Sequence, residues 1–94
     1  MSHIHIVRTH TLGLEAARTA TGRVADDLRA EHGVKAHWEG NTLMVRGTGV
    51  RGELAVSHNL VEVKVRLGLM MRAFRSTLEK EINEQLDEHL GGGS

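Results

Sequence analysis

Residues 60–90 carry the pattern that limits the possible folds of this chain most severely. Residues 61–67 alternate between apolar and charged side chains, the period of a half-buried β-strand, and Gly68 separates them from a long amphipathic segment. Apolar side chains recur in that segment at helical steps of three and four: Met71, Phe74, Leu78, Ile82, Leu86 and Leu90. Since such a stripe must be buried, we expect the rest of the chain to supply a sheet beneath it.

The N-terminal third predicts a strand followed by a helix. Residues 3–8 alternate as a short strand, and residues 12–31 carry an apolar stripe at helical spacing. We expect Thr9 or Thr11 to supply the N-cap oxygen of this helix. Gly33 stands where a helix commonly ends in the left-handed conformation.

Residues 34–67 predict an antiparallel meander of four strands. The dipeptide at residues 40–41 is a two-residue turn signal, and we expect a second two-residue turn at residues 48–49. This even loop would place Val45 opposite Gly52 and keep the apolar side chains of the meander on one face. An odd loop would turn part of them to the other face, because side chains alternate along a strand.

The order β-α-β-β-β-β-α predicts a single α+β domain over residues 1–90. The first helix returns the chain, so strand two should run parallel to strand one, and three hairpins leave strand five antiparallel to both. Placing strand one beside strand five gives a two-layer domain: a five-stranded antiparallel sheet of order 1-5-4-3-2 with two helices on one face. This architecture is similar to a reduced helix-grip fold. We interpret residues 91–94 as a flexible Gly/Ser tail.

Composition excludes several functions. Lys plus Arg and Asp plus Glu number 12 each, and one Phe and one Trp are the only aromatic residues besides histidine, so we expect no nucleic-acid partner. The absence of cysteine excludes disulfides and thiolate metal sites. No leader pattern and no apolar run long enough to span a bilayer occur, so we expect a cytoplasmic protein. A short chain buries only about 60–65 % of its surface, which makes a large internal cavity hard to maintain.

The sequence shows no catalytic or metal-binding motif. The glycines of residues 47–52 fall in a hairpin rather than between a strand and a helix, so we interpret them as turn residues and not as a phosphate loop. His3 and His5 could share a metal ion, but the proposed strand order puts His37, a possible third ligand, at the opposite sheet edge. We therefore expect neither a metal nor a cofactor.

Two apolar features are candidates for a ligand or partner surface. Trp38, near the end of strand two, is either a core anchor or one wall of a small pocket against the second helix. The first turn of that helix is apolar all round, which leaves Leu69 and Met70 for a partner, a second copy or a hydrophobic surface. The candidate residues are Trp38, Leu43, Leu54, Leu69, Met70 and Phe74.

Several short motifs occur in a familiar order: His10-Thr11-Leu12-Gly13, Trp38-Glu39-Gly40-Asn41, Gly49-Val50-Arg51-Gly52 and Val63-Lys64-Val65-Arg66-Leu67-Gly68. In these, from about residue 3 to residue 90, the chain resembles the polyhydroxyalkanoic acid system family. These are small bacterial proteins encoded near genes for polyhydroxyalkanoate synthesis and granules. The resemblance implies an accessory role in polyhydroxyalkanoate storage and supplies no catalytic residues.

Three hypotheses follow. The first is a non-enzymatic cytoplasmic accessory protein that self-associates as a possible homodimer, or contacts the polyhydroxyalkanoate granule or its proteins, through apolar surface. The second is a binding module that holds an acyl or hydroxyacyl group between Trp38, Leu43, Leu54 and the second helix. The third and least favoured is a hydrolase or isomerase that uses His10 or His58.

Overall fold

Residues 2–91, the part of the chain that the computed structural model describes, form five β-strands, two α-helices and one 3₁₀ helix. In chain order these are β1 (Ser2–Thr9), α1 (Leu14–His32), β2 (Lys35–Glu39), β3 (Thr42–Gly47), β4 (Val50–Val56), β5 (Leu60–Leu67), the 3₁₀ helix (Leu69–Phe74) and α2 (Arg75–His89). The predicted tail lies outside the described residues from position 92 onward. The predicted order of strands and helices is confirmed, with the 3₁₀ helix as an addition.

The strands form one antiparallel sheet of order β1-β5-β4-β3-β2, as predicted. The two-residue turns at residues 40–41 and 48–49 are both present. Val45 consequently lies opposite Gly52, and the apolar side chains of the meander share the face that the helices cover. The predicted α+β class is confirmed.

The two helices divide the apolar face of the sheet between them. α1 packs over β2, β3 and β4, whereas α2 packs against β1. Arg8, near the end of β1, donates hydrogen bonds from Nη1 to Asp87 and from Nη2 to Oδ1 of Asn83 (2.8 Å), both on α2. These bonds fix α2 over the β1 edge, because hydrogen bonds that involve ionised groups are among the stronger ones in proteins.

α1 starts later than predicted and has no side-chain cap. Its first residue is Leu14, and Gly13 occupies the N-cap position with a φ of +82°. The prediction that Thr9 or Thr11 caps this helix is therefore wrong, because Gly13 holds the cap position and has no side-chain oxygen to accept a hydrogen bond from the N–H groups of the first turn. The predicted end is confirmed: Gly33 adopts the left-handed conformation, with a φ of +69°.

The C-terminal helix also departs from its prediction at the start. Residues 69–74 form the 3₁₀ helix instead of the first turns of α2. Only Ile82, Leu86 and Leu90 of the apolar stripe are buried, whereas Phe74 is 54 % exposed. A 3₁₀ helix has about 3.0 residues per turn, so its side chains do not continue the stripe of α2. This change of geometry leaves the beginning of the C-terminal segment less well covered than expected.

Candidate functional site

A cavity of about 450 Å³ lies between the sheet and the junction of the 3₁₀ helix with α2. Its floor is formed by β3, β4 and β5, and the end of α1 closes one side. The walls are mainly aliphatic and include Leu28, Val45, Leu54, Val65, Met71 and Leu78. Small-molecule sites in proteins have volumes of about 300–1,000 Å³, so this cavity is large enough for a ligand. A space of this size is unexpected in a chain of 94 residues.

Gly52 opens the cavity by leaving part of its floor without a side chain, whereas Val34 packs over Gly47, where an added Cβ would lie 2.9 Å from Val34 Cγ1. Gly52 lies between Val45 and Val65 on the face toward the helices, and Gly47 lies in the next inward-facing row. An added Cβ at Gly52 would stand 3.3 Å from Cγ2 of Val65. The interpretation of the glycines in residues 47–52 as turn residues holds for Gly49, whose φ is +72°, but is wrong for Gly47 and Gly52, which are residues of β3 and β4.

Glu31, His32 and Glu81 form a polar cluster at the edge of the cavity, and the last two line it. Nε2 of His32 lies 3.1 Å from both carboxylate oxygens of Glu81. A side-chain hydrogen bond with Glu81, together with its charge, raises the pKa of Glu31. Burial opposes the ionisation of Glu81, but hydrogen bonds from Glu31 and His32 outweigh it and lower the pKa of Glu81. The cluster therefore moves the pKa values of the two carboxyl groups in opposite directions, up for Glu31 and down for Glu81.

The same cluster has the donor atoms of a metal site. Its three ligand atoms lie within 4.8 Å of one another, close enough to hold a divalent cation. The sequence contains no signal for it, because Glu81 on α2 meets the end of α1 only when the two helices pack together. Exposed acidic groups of this kind are common without an ion. The expectation of no metal and no cofactor stays a prediction.

The 3₁₀ helix exposes three large apolar side chains, which we call the apolar tip: Leu69, Met70 and Phe74. Leu69 is 70 % exposed and Met70 87 % exposed, the two highest values among the large apolar side chains of residues 2–91. Met71, between them and Phe74, turns inward to the cavity, and Phe74 also lines it. The exposure of Leu69 and Met70 agrees with the sequence, whereas the contact that they make stays a prediction.

Trp38 and Leu43 do not take part in the cavity. The indole of Trp38 faces α1, where the Arg18 guanidinium lies 4.4 Å from its ring centroid and also donates a hydrogen bond to Asn41 Oδ1 (2.8 Å). Leu43 is buried in the core, and Leu54 alone of the predicted strand residues lines the cavity. The predicted pocket was placed too near the β2 edge, because α1 and not α2 covers that edge.

His10 is fixed by the backbone on both sides of its ring. It is 8 % exposed, with Nε2 3.0 Å from the carbonyl oxygen of Ser57 and Nδ1 accepting a hydrogen bond from the Leu12 N–H (3.2 Å). His10 therefore links the β1–α1 connection to the β4–β5 connection. This arrangement leaves neither ring nitrogen for proton transfer to a substrate.

The surface histidines are separated as expected from the strand order. His3 and His5 lie on β1 and His37 on β2, at opposite edges of the sheet. Nε2 of His5 is 2.7 Å from Glu62, and Nε2 of His37 is 2.8 Å from Glu39. Each of these two histidines thus pairs with a carboxylate beside it and does not converge on a common site.

Comparison with known proteins places the chain in a family. The model of the polyhydroxyalkanoic acid system protein family matches residues 4–90, which is nearly the whole chain. The description of the family names a system and no activity, ligand or partner. No curated protein and no solved structure matches the chain. Within residues 2–91, no helix has the length and apolar character needed to cross a membrane. The chain belongs to the polyhydroxyalkanoic acid system protein family.

Proposed function

We propose that this protein is a non-enzymatic, cytoplasmic accessory protein of polyhydroxyalkanoate storage whose apolar tip contacts the storage granule. One observation carries the proposal: three large apolar side chains stand exposed within six consecutive residues. Contiguous exposed apolar surface commonly marks an interaction site. Membership of the family supports the storage system as the setting.

Backbone contacts hold the apolar tip in a fixed position. The N–H of Gly68 donates to the carbonyl oxygen of Gly49 (2.9 Å), and the N–H of Met71 donates to that of Gly68 (3.0 Å). Met71 packs so closely on Gly49 that an added Cβ there would lie 2.8 Å from Met71 Cγ. Because Met71 is held inward, Leu69 and Met70 remain outward. A partner therefore meets a surface that needs little ordering on binding.

A second copy of the chain is an alternative partner for the apolar tip in solution. Burial of one Leu, Met or Phe side chain contributes about 1.5–3 kcal/mol, and a symmetric dimer would bury three such side chains from each copy, against an association cost of roughly 4–15 kcal/mol. Light scattering on the wild type and on Met70→Asp separates the two cases. We expect any dimer of the wild type to dissociate in this variant.

Sedimentation with protein-free polyhydroxybutyrate particles tests the granule contact. We expect the wild type to pellet with the particles and Met70→Asp to remain in the supernatant. Leu12→Asp is the matched control, because Leu12 is also an exposed apolar residue, 39 % exposed, but lies in the turn before α1. No retention of the wild type, or equal losses in both variants, would contradict the proposal.

The cavity supports a second candidate function, the binding of an acyl or hydroxyacyl ligand. Thr48 and Thr77 line the cavity beside its aliphatic walls, so they supply hydroxyl groups for the oxygens of such a ligand. Calorimetric titration with a medium-chain hydroxy fatty acid tests this function. We expect saturable binding, and its absence would rule this candidate out.

A further inference from the structure

One row of side chains across the outer face of the sheet is entirely basic. Arg66 on β5 lies opposite both His3 on β1 and Arg51 on β4. Arg46 on β3 lies opposite both Arg51 and Lys35 on β2. Residues directly opposite on neighbouring strands project from the same face, and strands are about 4.8 Å apart. This basic row therefore crosses all five strands over about 19 Å.

The lysine and arginine side chains of the basic row have no acidic partner within residues 2–91. All five side chains are exposed, and within residues 2–91 none of its lysine and arginine side chains forms an ion pair or a hydrogen bond. The next row holds Lys64 opposite Glu53, and Glu62 and Glu39 stand in the third. Charge is thus segregated along the strands. A net charge of zero for the chain conceals a strongly positive end of the outer face.

The basic row lies at the same end of the sheet as the apolar tip. Arg66 is the last outer-face residue of β5, which ends at Leu67, and the tip begins at Leu69. Arg72, on the 3₁₀ helix itself, is exposed and makes no ion pair with the described residues. Two features together hold proteins at the surface of anionic lipid layers: exposed apolar side chains and cations beside them.

We propose that the basic row binds the phosphate headgroups of an anionic phospholipid layer into which the apolar tip inserts. The inference rests on the proposed function for the role of the tip, and adds the chemistry of the surface that it meets. Three of the four permanent cations are arginines, whose guanidinium groups bind phosphate oxygens through paired hydrogen bonds. The row spans several headgroups, so each cation adds to the attraction.

A nucleic acid fits this surface less well. The described side chains of the outer face include no Phe, Tyr or Trp ring on which a base could stack. The adjacent apolar tip also has no counterpart on a phosphate backbone.

Vesicle co-sedimentation tests the proposal with two charge reversals. Arg51→Glu changes the centre of the basic row, and Arg23→Glu makes the same change at an exposed residue of α1 that has no ion pair with the described residues. We expect the wild type to bind vesicles of phosphatidylcholine mixed with phosphatidylglycerol, and not pure phosphatidylcholine. Each unit of charge changes binding about fivefold, so Arg51→Glu should bind about 25-fold more weakly and Arg23→Glu nearly normally.

Two further probes separate this proposal from its alternatives. Arg51→Glu should still pellet with lipid-free polyhydroxybutyrate particles, whereas Met70→Asp should bind neither these particles nor the anionic vesicles. Suppose that Met70→Asp loses particle binding but the wild type does not bind anionic vesicles. This result would overturn the lipid inference and leave the proposed function intact. Binding of a single-stranded oligodeoxynucleotide that depends on Arg51, with no vesicle binding, would overturn it in favour of a nucleic acid.

Discussion

Arg51 lies directly opposite Arg66 across β4 and β5, and neither guanidinium has an acidic partner among the described residues. Arg46 stands on the other side of Arg51, so the central arginine has a like charge on both flanks. Like charges at directly opposite positions destabilise a sheet. The sequence keeps this arrangement although folding would favour an acidic side chain at the centre, which is the pattern expected of a surface with a partner.

Arg51→Glu should therefore stabilise the folded protein. The substitution replaces two repulsive cross-strand pairs by two attractive ones, each worth a few tenths of a kcal/mol at an exposed site. We predict an increase of about 1 kcal/mol in the free energy of unfolding, or about 4–8 °C in Tm for a chain of this size. Thermal melting followed by circular dichroism measures it. A Tm of Arg51→Glu below that of Arg23→Glu would contradict the claim that Arg51 is repelled by its arginine neighbours.

Gly52→Val should fill the cavity while leaving the sheet intact. The new Cβ lies 3.3 Å from Cγ2 of Val65, so that side chain must shift by a few tenths of an ångström, and the added methyl groups enter the cavity. We predict a loss of hydroxy fatty acid binding of at least about tenfold by calorimetry, because the ligand and the new side chain compete for one volume. A folded variant with unchanged affinity would place the ligand elsewhere. Gly22→Ala, outside the cavity, is the control.

Gly22→Ala should stabilise the protein. Gly22 lies within α1, and an added Cβ there meets no atom within 4 Å. Since alanine loses less backbone entropy in a helix, we predict a gain of about 0.5–1 kcal/mol in the free energy of unfolding measured by urea denaturation. Gly33→Ala is the opposite case, because its φ of +69° strains an L-residue. A stabilising Gly33→Ala, or a destabilising Gly22→Ala, would show that the helix differs from this description.

The His5–Glu62 pair should contribute to stability only above acidic pH. A hydrogen bond from His5, followed by the charge of Lys64, lowers the pKa of Glu62 below its ordinary value of 4.5. A carboxyl group whose pKa is lowered on folding stabilises the protein above the unfolded pKa and loses that contribution as pH falls through the folded pKa. We predict that His5→Ala raises the pKa of Glu62 toward 4.5 in an NMR titration. An unchanged Glu62 pKa in His5→Ala would contradict the pairing, and His37→Ala is the control.

The register of the sheet was predictable because it follows from parity. Side chains alternate with a period of two, so a two-residue turn at residues 48–49 was the choice that kept Val45 and its apolar neighbours on one face. The strand order followed from the same count of reversals. The 3₁₀ helix was not predictable, because helical spacing alone does not distinguish it from an α-helix and a contact between Gly68 and Gly49, distant in sequence, fixes its start.

The candidate site was predictable only in part. Leu69 and Met70 were identified because one helical face cannot bury a turn that is apolar all round, and both are exposed. The cavity was missed although the predicted register already placed Gly52 opposite Val45, because a strand pattern does not show how closely the helices pack above the sheet. The basic row was hidden by the net charge of the chain, because a sum of charges does not show how they are distributed over the surface. Which helix covers Trp38 depends on packing that no local pattern specifies.

Hydrogen exchange on granule-like particles tests the central claim most directly. The wild-type chain is compared with and without protein-free polyhydroxybutyrate particles, and the exchange of each segment is measured by mass spectrometry. The backbone amide hydrogens of a short, exposed 3₁₀ helix should exchange fast in the free protein. We predict that exchange in residues 69–74 slows several-fold on the particles while exchange in residues 38–43, around the β2–β3 turn at the other end of the sheet, remains unchanged. Slower exchange in residues 38–43 without slower exchange in residues 69–74 would contradict the claim that the apolar tip makes the contact.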